Sequence, residues 1–321
     1  MVQIIVSGAT GFIGSAFAKN LIDEDFKVLA LGRKNFDDIL PYRQILLKDA
    51  CYIKIDLKDI DQLGTELASR GILLDPNCVF FHLAWGGESK LSDLDLEAQI
   101  SNVHKSVAAL EEASKIGCKR FIHVGSMEEE FALEYLKLDY QNGNYWNRHL
   151  IYAIAKIAAK NALMLKSADL GLDFVFVNHS HVMGPGDDKD SFLQVTLQNI
   201  LNSNELVFSS GNQYFDVISL SDCIEAYKLI CSNGKSGSSY WVGSGDPRLL
   251  REYVERMYSL FPSNKQLLFG ALPYNDVKIE KHVFSTQKLE LDTNFKPKMT
   301  YEDTVLCLYE YLISIEKEKR I

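Results

Sequence analysis

Tyr152 and Lys156 stand four residues apart in Tyr152-Ala153-Ile154-Ala155-Lys156, a spacing that puts a phenol and an ammonium on one helix face. Such a pair does acid/base work. The ammonium favours the phenolate, so the phenol's pKa is expected to come down from about 10 towards working pH. Ser126 follows the β-branched run Arg120–Val124 at Gly125-Ser126, where its hydroxyl can meet the same substrate oxygen. Reduction of a carbonyl needs these parts, a proton donor and a polarising hydroxyl at one oxygen. The tyrosine–lysine spacing alone recurs by chance; Ser126 at a strand end gives it weight.

A hydride needs a carrier, and the start of the chain supplies a place for one. Gly8-Ala9-Thr10-Gly11-Phe12-Ile13-Gly14 follows an apolar run and opens a helix-like one. Gly8 permits a tight turn, Gly11 lets backbone N–H groups approach a pyrophosphate, and Gly14 allows helix to pack closely on strand. The second strand ends Leu31-Gly32-Arg33-Lys34, without the acidic residue that would accept bonds from a ribose 2′-hydroxyl. Arg33 and Lys34 suit a 2′-phosphate instead. The expected cofactor is therefore NADP(H), with NAD(H) possible.

Three further groups have two readings each. His179 and His181 alternate on one strand end as metal ligands can, but no acidic or cysteine ligand is placed near them, so they read as pocket-lining residues and no metal is expected. Trp85, in Ala84-Trp85-Gly86-Gly87, either stacks near cofactor or substrate or plugs the core. Glu128, Glu129 and Glu130 either approach a substrate or form a solvated acidic loop, the second being the preferred reading.

The elements that must position these residues alternate in the first half of the chain. Strands are expected at Ile4–Ser7, Val28–Gly32, Tyr52–Ile55, Val79–Leu83, Arg120–Val124 and Asp173–Val177. Helices are expected near Ile13–Asp23, Asp59–Arg70, Asp95–Ile116 and Tyr152–Leu170. That order predicts an α/β fold, a doubly wound Rossmann-type parallel sheet. After about residue 178 the pattern loosens, with loops at Gly184–Asp190, Ser209–Gln213 and Ser232–Ser239 and helical runs near Leu249–Leu260 and Tyr301–Ile315. The reading is a dinucleotide-binding domain over 1–178, with sheet strands also from about 214–245. A smaller, interleaved substrate lobe covers 179–321. The expected ligand site is the cleft between them.

Composition excludes several classes. A net charge of −9 repels phosphate polymers and anionic membranes, so no nucleic-acid or membrane partner is expected. No apolar run reaches the ~18 residues of a membrane span, and the first residues lack the charged start of a signal peptide. Six cysteines without CxxC spacing point to reduced, buried thiols and a cytoplasmic setting.

On these residues the chain resembles an extended member of the short-chain dehydrogenase/reductase superfamily, in the branch of nucleotide-sugar epimerases, dehydratases and ketoreductases. The resemblance covers nearly the whole chain. It implies that Gly8, Thr10, Gly11, Phe12, Ile13 and Gly14 form the cofactor turn and that Asp56-Leu57 contacts adenine. His82-Leu83-Ala84 resembles the family's strand end beside the cofactor, and Trp85 follows it. Asn102 falls at the helix position that supports the active-site lysine, usually through water. Ser126, Tyr152 and Lys156 match the catalytic triad, with Tyr152 as general acid/base and Lys156 also binding the nicotinamide ribose. Gly184-Pro185-Gly186-Asp187 resembles the loop that opens the substrate lobe, and Asp216 with Asp222 resembles a segment of that lobe.

The departures bear on substrate. Dehydratases of this branch carry Thr-Asp-Glu where this chain reads Ser126-Met127-Glu128, and a thioether cannot donate the proton that expels a hydroxyl. Asn178, Phe215 and Asn275 stand where relatives often carry diphosphate-clamping arginines; Arg148, Lys189, Arg248 and Lys278 are candidate substitutes. Met127, Glu128, His179 and His181 are the expected substrate contacts. By its resemblance the chain is expected to be a 4-ketoreductase of a dTDP- or CDP-linked 4-keto-6-deoxyhexose for bacterial surface polysaccharides. A 4-epimerase with tightly bound NAD is the second reading, and a non-catalytic NADP-binding sensor the third. Relatives pair the helices Asp95–Ile116 and Tyr152–Leu170 across a two-fold axis, so a homodimer is expected.

Overall fold

The computed structural model describes residues 3–87, 95–135, 137, 150–187, 191–273 and 277–318. The chain divides into two compact units. The first comprises 1–129, 148–178 and 224–240; the second comprises 130–147, 179–223 and 241–321.

The first unit is built on short strands that are buried almost throughout, as parallel strands covered on both faces must be. In chain order the elements up to His179 are β1 (Gln3–Ser7), α1 (Phe12–Asp23), β2 (Lys27–Gly32), α2 (Pro41–Leu47), β3 (Cys51–Lys54), α3 (Leu63–Ser69), β4 (Val79–His82), α4 (Leu96–Lys115), β5 (Arg120–Val124), α5 (Glu128–Tyr135), which passes into the second unit after Glu129, α6 (Leu150–Leu170) and β6 (Asp173–His179), whose last residue belongs to the second unit. The sheet runs β6-β5-β4-β1-β2-β3, and a seventh strand, Ser239–Val242, lies beyond β6. The pairings from β3 to β6 are parallel and in continuous register, for example Ile4 with both Val28 and Val79. This is a doubly wound, Rossmann-type sheet. Its order reverses between β1 and β4, so the segments after these two strands diverge and leave a crevice at their carboxyl ends.

Each face is closed by its own aromatic cluster. On one, Phe80, Phe121 and Phe174 stack in a row against Leu110 and Ala113 of α4 and Leu163 of α6. On the other, Phe17 of α1 and Phe81 of β4 meet Tyr227, with ring centroids 4.7–5.8 Å apart. Local signals set the helix ends. Asp95 caps α4 by accepting from Ala98 N at 3.0 Å, and Pro41 opens α2. Gly117 and Gly171 follow α4 and α6 with φ of 87° and 64°, the left-handed conformation a glycine adopts without strain.

In the second unit the strands are short and paired in twos. His181–Met183 runs parallel to Val217–Ser219, and Tyr214–Phe215 antiparallel to Arg248–Leu249. Its core joins Leu193 and Leu197 to Tyr253, Met257, Val305 and Leu308. Asp216, fully buried, ties the strands together by accepting bonds from the Ser180 hydroxyl at 2.5 Å, the Ser244 hydroxyl and the Ser244 N–H at 3.0 Å. Asp222 accepts from the N–H groups of Lys298 and Met299 at 3.0 and 2.9 Å. Both aspartates have backbone-organising partners.

Several elements differ from the sequence reading. The helix expected over Asp59–Arg70 is a 3₁₀ segment, Leu57–Gln62, followed by α3, because Asp59 (φ −111°, ψ 16°) breaks helical geometry. Helices Phe192–Leu201 and Leu220–Asn233 occupy stretches read as loosened pattern. Of the stretch 214–245 expected to feed the main sheet, only Ser239–Val242 does so; residues 214–219 pair within the second unit. Met1, Val2, Arg148, Lys189 and Asn275 lie outside the described residues.

Candidate active site

The glycine turn lies at the crevice. Gly8 has φ 75°, and a side-chain carbon there would come within 2.9 Å of Ala84 N, so the turn rests on the segment Leu83-Ala84 after β4. A carbon added to Gly14 would lie 2.2 Å from Gly8 O, which fixes how closely α1 approaches β1. Gly11 caps α1 without any side-chain acceptor, and the first turn carries no acidic residue. Phe12, Ile13 and Gly14 therefore begin the helix with backbone donors and a positive dipole end at the crevice. A dinucleotide pyrophosphate fits such a cradle.

The far end of the cradle is cationic. Arg33 and Lys34 are exposed and take part in no ion pair among the described residues, while Tyr52 donates to Lys34 O at 2.7 Å and holds that backbone. Sequence reading missed Arg43. It reaches from α2 into the turn and donates to Thr10 O at 2.8 Å, although it is nearly buried. Asp56 caps the 3₁₀ segment through Lys58 N at 3.0 Å, with Leu57 beside it half-buried.

The catalytic candidates meet at the ends of β4 and β5 and the first turns of α6. Ser126 is bonded to the Tyr152 phenol and accepts from Glu128 N at 3.3 Å. Lys156 is 3 % exposed; its Nζ donates to Val124 O at 3.1 Å and lies 4.0 Å above the Trp85 ring. Trp85 meets the Tyr152 ring edge-on at 6.1 Å and donates through Nε1 to Gln99 Oε1 at 2.8 Å. The indole thus borders both candidate groups, whose own separation is 5.9 Å from Lys156 Nζ to the Tyr152 ring centre. Asn102 is bonded at both ends of its amide to Gly86, at 2.8 and 2.9 Å, so its side chain clamps the loop after β4 directly.

The acidity of Tyr152 differs from expectation. Burial raises its pKa well above the usual phenol value; the Ser126 bond opposes this, and the charges of Glu128 and Glu129 add to it. The Lys156 ammonium, 5.9 Å from the phenol ring centre, is turned towards Val124 O and Trp85. At rest the phenol keeps its proton. The glutamates are likewise not a solvated loop. They open α5, and Glu129, 2 % exposed, accepts from Ser126 N at 2.9 Å. Met127 and Glu128 are half-buried beside it.

His82 bridges Ser7 Oγ (2.7 Å) and Ser106 Oγ (3.1 Å), and burial followed by the Lys156 charge lowers its pKa to about 3. His123, stacked 5.4 Å from it, is fully buried. His179 and His181 belong to the second unit: His179 Nδ1 bonds Ser180 O at 2.8 Å, and the His181 ring lies 5.7 Å from Phe215. Burial, then His179, lowers the His181 pKa to about 4. No three His, Cys, Asp or Glu among the described residues are grouped as metal ligands. Arg248 pairs with Asp246 at 2.5 Å, and Asn178 packs against Gly125. No helix among the described residues is long and apolar enough to cross a membrane.

Residues 4–243 match the family model described as "NAD dependent epimerase/dehydratase family". The chain is 26% identical over 305 residues to CDP-abequose synthase of Salmonella typhimurium, covering 93% of this chain and 94% of that protein. It superposes on UDP-glucose 4-epimerase of Thermotoga maritima, solved with UDP-glucose, with a TM-score of 0.77 at 18% identity, covering 98% and 100% of the two chains. dTDP-glucose 4,6-dehydratase of Bacillus anthracis, solved with NAD, gives a TM-score of 0.76 at 17% identity, covering 98% of both.

Proposed function

The chain belongs to the NAD dependent epimerase/dehydratase family, and from that premise we propose that it reduces the C4 ketone of a dTDP- or CDP-linked 4-keto-6-deoxyhexose with NADPH. The observation that carries this reading is the meeting of three groups at the ends of β4 and β5: Ser126 is bonded to the Tyr152 phenol and Lys156 lies on the same helix over Trp85, so a proton donor and a polarising hydroxyl can reach one ketone oxygen.

The cradle at Gly8, Gly11 and Gly14 holds the dinucleotide phosphates, and Arg33 and Lys34 grip the 2′-phosphate. The bound dihydronicotinamide supplies the hydride. Ser126 donates to the ketone oxygen and polarises it. Tyr152 transfers its proton to the oxygen as the C–H bond forms and is then reprotonated from solvent. Lys156 offsets the negative charge left on the phenol. Met127 faces the sugar without acid chemistry, which argues against dehydration, and Glu128 holds a sugar hydroxyl. The relationship to CDP-abequose synthase supports a sugar nucleotide of this class. The exposed Leu96 and Ile100 of α4 and Ile154 and Leu165 of α6 support a homodimer seated on these helices, to be checked by sedimentation.

The test is stoichiometry. Protein, 4-keto sugar nucleotide and NADPH are mixed, and loss of reduced-cofactor absorbance is compared with product formed. One-to-one oxidation is the expected result. Interconversion of 4-hydroxy sugars without net cofactor change would replace the reductase with a 4-epimerase, the reading favoured by the likeness to UDP-glucose 4-epimerase.

A further inference from the structure

Ser126 is held by the two glutamates that open α5. Its N–H donates to Glu129 Oε1 at 2.9 Å, its carbonyl accepts from Glu129 N at 3.1 Å, and its hydroxyl accepts from Glu128 N at 3.3 Å. Reciprocal bonds of this kind also stabilise ordinary helix starts, where Ser-x-x-Glu recurs. Two features exceed that need. Glu129 is 2 % exposed, and taking a carboxylate out of water is costly, whereas a helix start is served as well by one left in solvent. The chain also makes room for it: a side-chain carbon on Gly125 would overlap Glu129 Oε1, Asn178 Oδ1 and Phe176 Cζ.

The sheet itself does not fix this serine. The ladder between β5 and β6 ends at Val124 with Val177, and the bond from Gly125 N to Val177 O, 2.7 Å, is the last that the strand supplies. Ser126 comes one residue later, where the chain leaves the sheet for α5. Its hydroxyl has one proton and two lone pairs. Glu128 N–H takes a lone pair, and the Tyr152 phenol is bonded to the same group. The direction of that hydroxyl therefore follows the Ser126 backbone, and the side chain that holds the backbone N–H is Glu129.

We propose that Glu129 is a positioning residue for Ser126, a buried acceptor that takes over where the sheet ends and keeps the serine hydroxyl aimed at the oxygen it shares with Tyr152. The role rests on the reading of Ser126 and Tyr152 as the groups that reduce a ketone. It is a matter of reach. The acceptor must stand 2.9 Å from Ser126 N, and a carboxylate that stops short cannot hold the backbone. Charge is a separate matter: Glu128 and Glu129 both act on Tyr152 through space, and any carboxylate at 129 would keep that effect.

The experiment compares wild type, Glu129→Gln and Glu129→Asp. Glu129→Gln keeps an acceptor at the same reach and loses the charge. Glu129→Asp keeps the charge and draws the acceptor back by about 1.5 Å, one carbon–carbon bond. In ligand-free protein carrying nitrogen-15 serine, the Ser126 amide proton should resonate downfield in wild type and Glu129→Gln and move upfield in Glu129→Asp. With NADPH and the 4-keto sugar nucleotide, kcat should fall less than about threefold in Glu129→Gln and about 10- to 100-fold in Glu129→Asp, with NADPH affinity kept in both. Placed in Ser126→Ala, Glu129→Asp should cost no further activity, because the two residues act as one unit. A Glu129→Asp protein with wild-type kcat, a Glu129→Gln protein as slow as Glu129→Asp, or the full Glu129→Asp loss in the Ser126→Ala background would each overturn the proposal. The expected amide shifts without ketone reduction by wild type would instead remove the reductase reading and leave the hold of Glu129 on Ser126 standing.

Discussion

Adding one methyl group at Gly14 should damage the cofactor cradle by a predictable amount. The new carbon would sit 2.2 Å from Gly8 O, 2.9 Å from Gly8 C and 3.1 Å from Ala9 Cα. Ordinary contact begins near 3.4 Å, so the deficit is about 1 Å, and every atom involved belongs to the backbone. No rotamer change can relieve it. Either α1 retreats from β1, loosening Phe17, Ala18 and Leu21, which are fully buried, or the turn deforms. Overpacking of this kind costs about 1–3 kcal/mol, or roughly 5- to 150-fold in an equilibrium constant. If α1 retreats, the loss appears as a lower melting temperature. If the turn yields, the Gly11 N to Gly8 O bond of 2.9 Å breaks and the donors at the start of α1 leave the phosphates. The loss then appears in NADPH affinity. Calorimetric melting and NADPH titration of Gly14→Ala together capture both routes. Wild-type values in both would refute the inference that close approach of α1 and β1 builds the cradle.

Tyr152→Phe should cost about 10²–10⁴-fold in reduction rate with cofactor affinity unchanged, measured by steady-state kinetics and direct titration. Arg33→Ala should weaken NADPH far more than NADH; equal losses in a binding titration would remove the case for a 2′-phosphate site. Arg43→Met should reduce affinity for both cofactors by a similar factor, because its bond goes to Thr10 O in the shared turn. His82, with its pKa lowered to about 3, binds a proton less readily in the folded state than in the unfolded chain, where the value is about 6.5. Its contribution to stability is full above pH 6.5 and is lost as the pH falls towards 3. Urea unfolding at pH 7.5 and 5.5 should therefore show lower stability at 5.5, with a smaller difference in His82→Gln.

Much of the first unit was legible because its signals are local. A strand followed by three spaced glycines, or a tyrosine and lysine one helical turn apart, can be read without knowing what lies across the fold. What escaped depends on partners distant in sequence. Three consecutive glutamates read as solvated until Ser126 N–H is seen to need an acceptor, which Glu129 supplies from inside. Arg43 has no motif of its own and matters only because α2 brings it to Thr10. The sign of the Tyr152 shift was misjudged for the same reason. Spacing places Lys156 on the phenol's helix face, but it does not show that the phenol is buried, which raises its pKa, or that the Val124 carbonyl and Trp85 hold the ammonium. Helices in the second half were missed where polar residues blurred the period; Phe192–Leu201, for instance, buries Gln194 and Thr196 along with its leucines.

The late segment 224–240 of the first unit has a consequence for how the chain is made. Tyr227 covers Phe17 and Phe81, Arg120 donates to Ile230 O and Cys231 O, and Phe176 N bonds Ser238 O at 3.0 Å. When a ribosome has released residues up to 178, the α1 face of the sheet still lacks the Tyr227 cover over Phe17 and Phe81, and the outer edge of β6 is unpaired. At about 5–20 residues per second, the wait for residue 240 lasts roughly 3–12 s. During that interval the nascent sheet exposes aromatic surface and an unpaired strand edge, the features that recruit chaperones or drive aggregation. A fragment cut at 178 would remain in that condition permanently, so production of the cofactor-binding unit alone calls for a fusion that carries 224–240 back to β6.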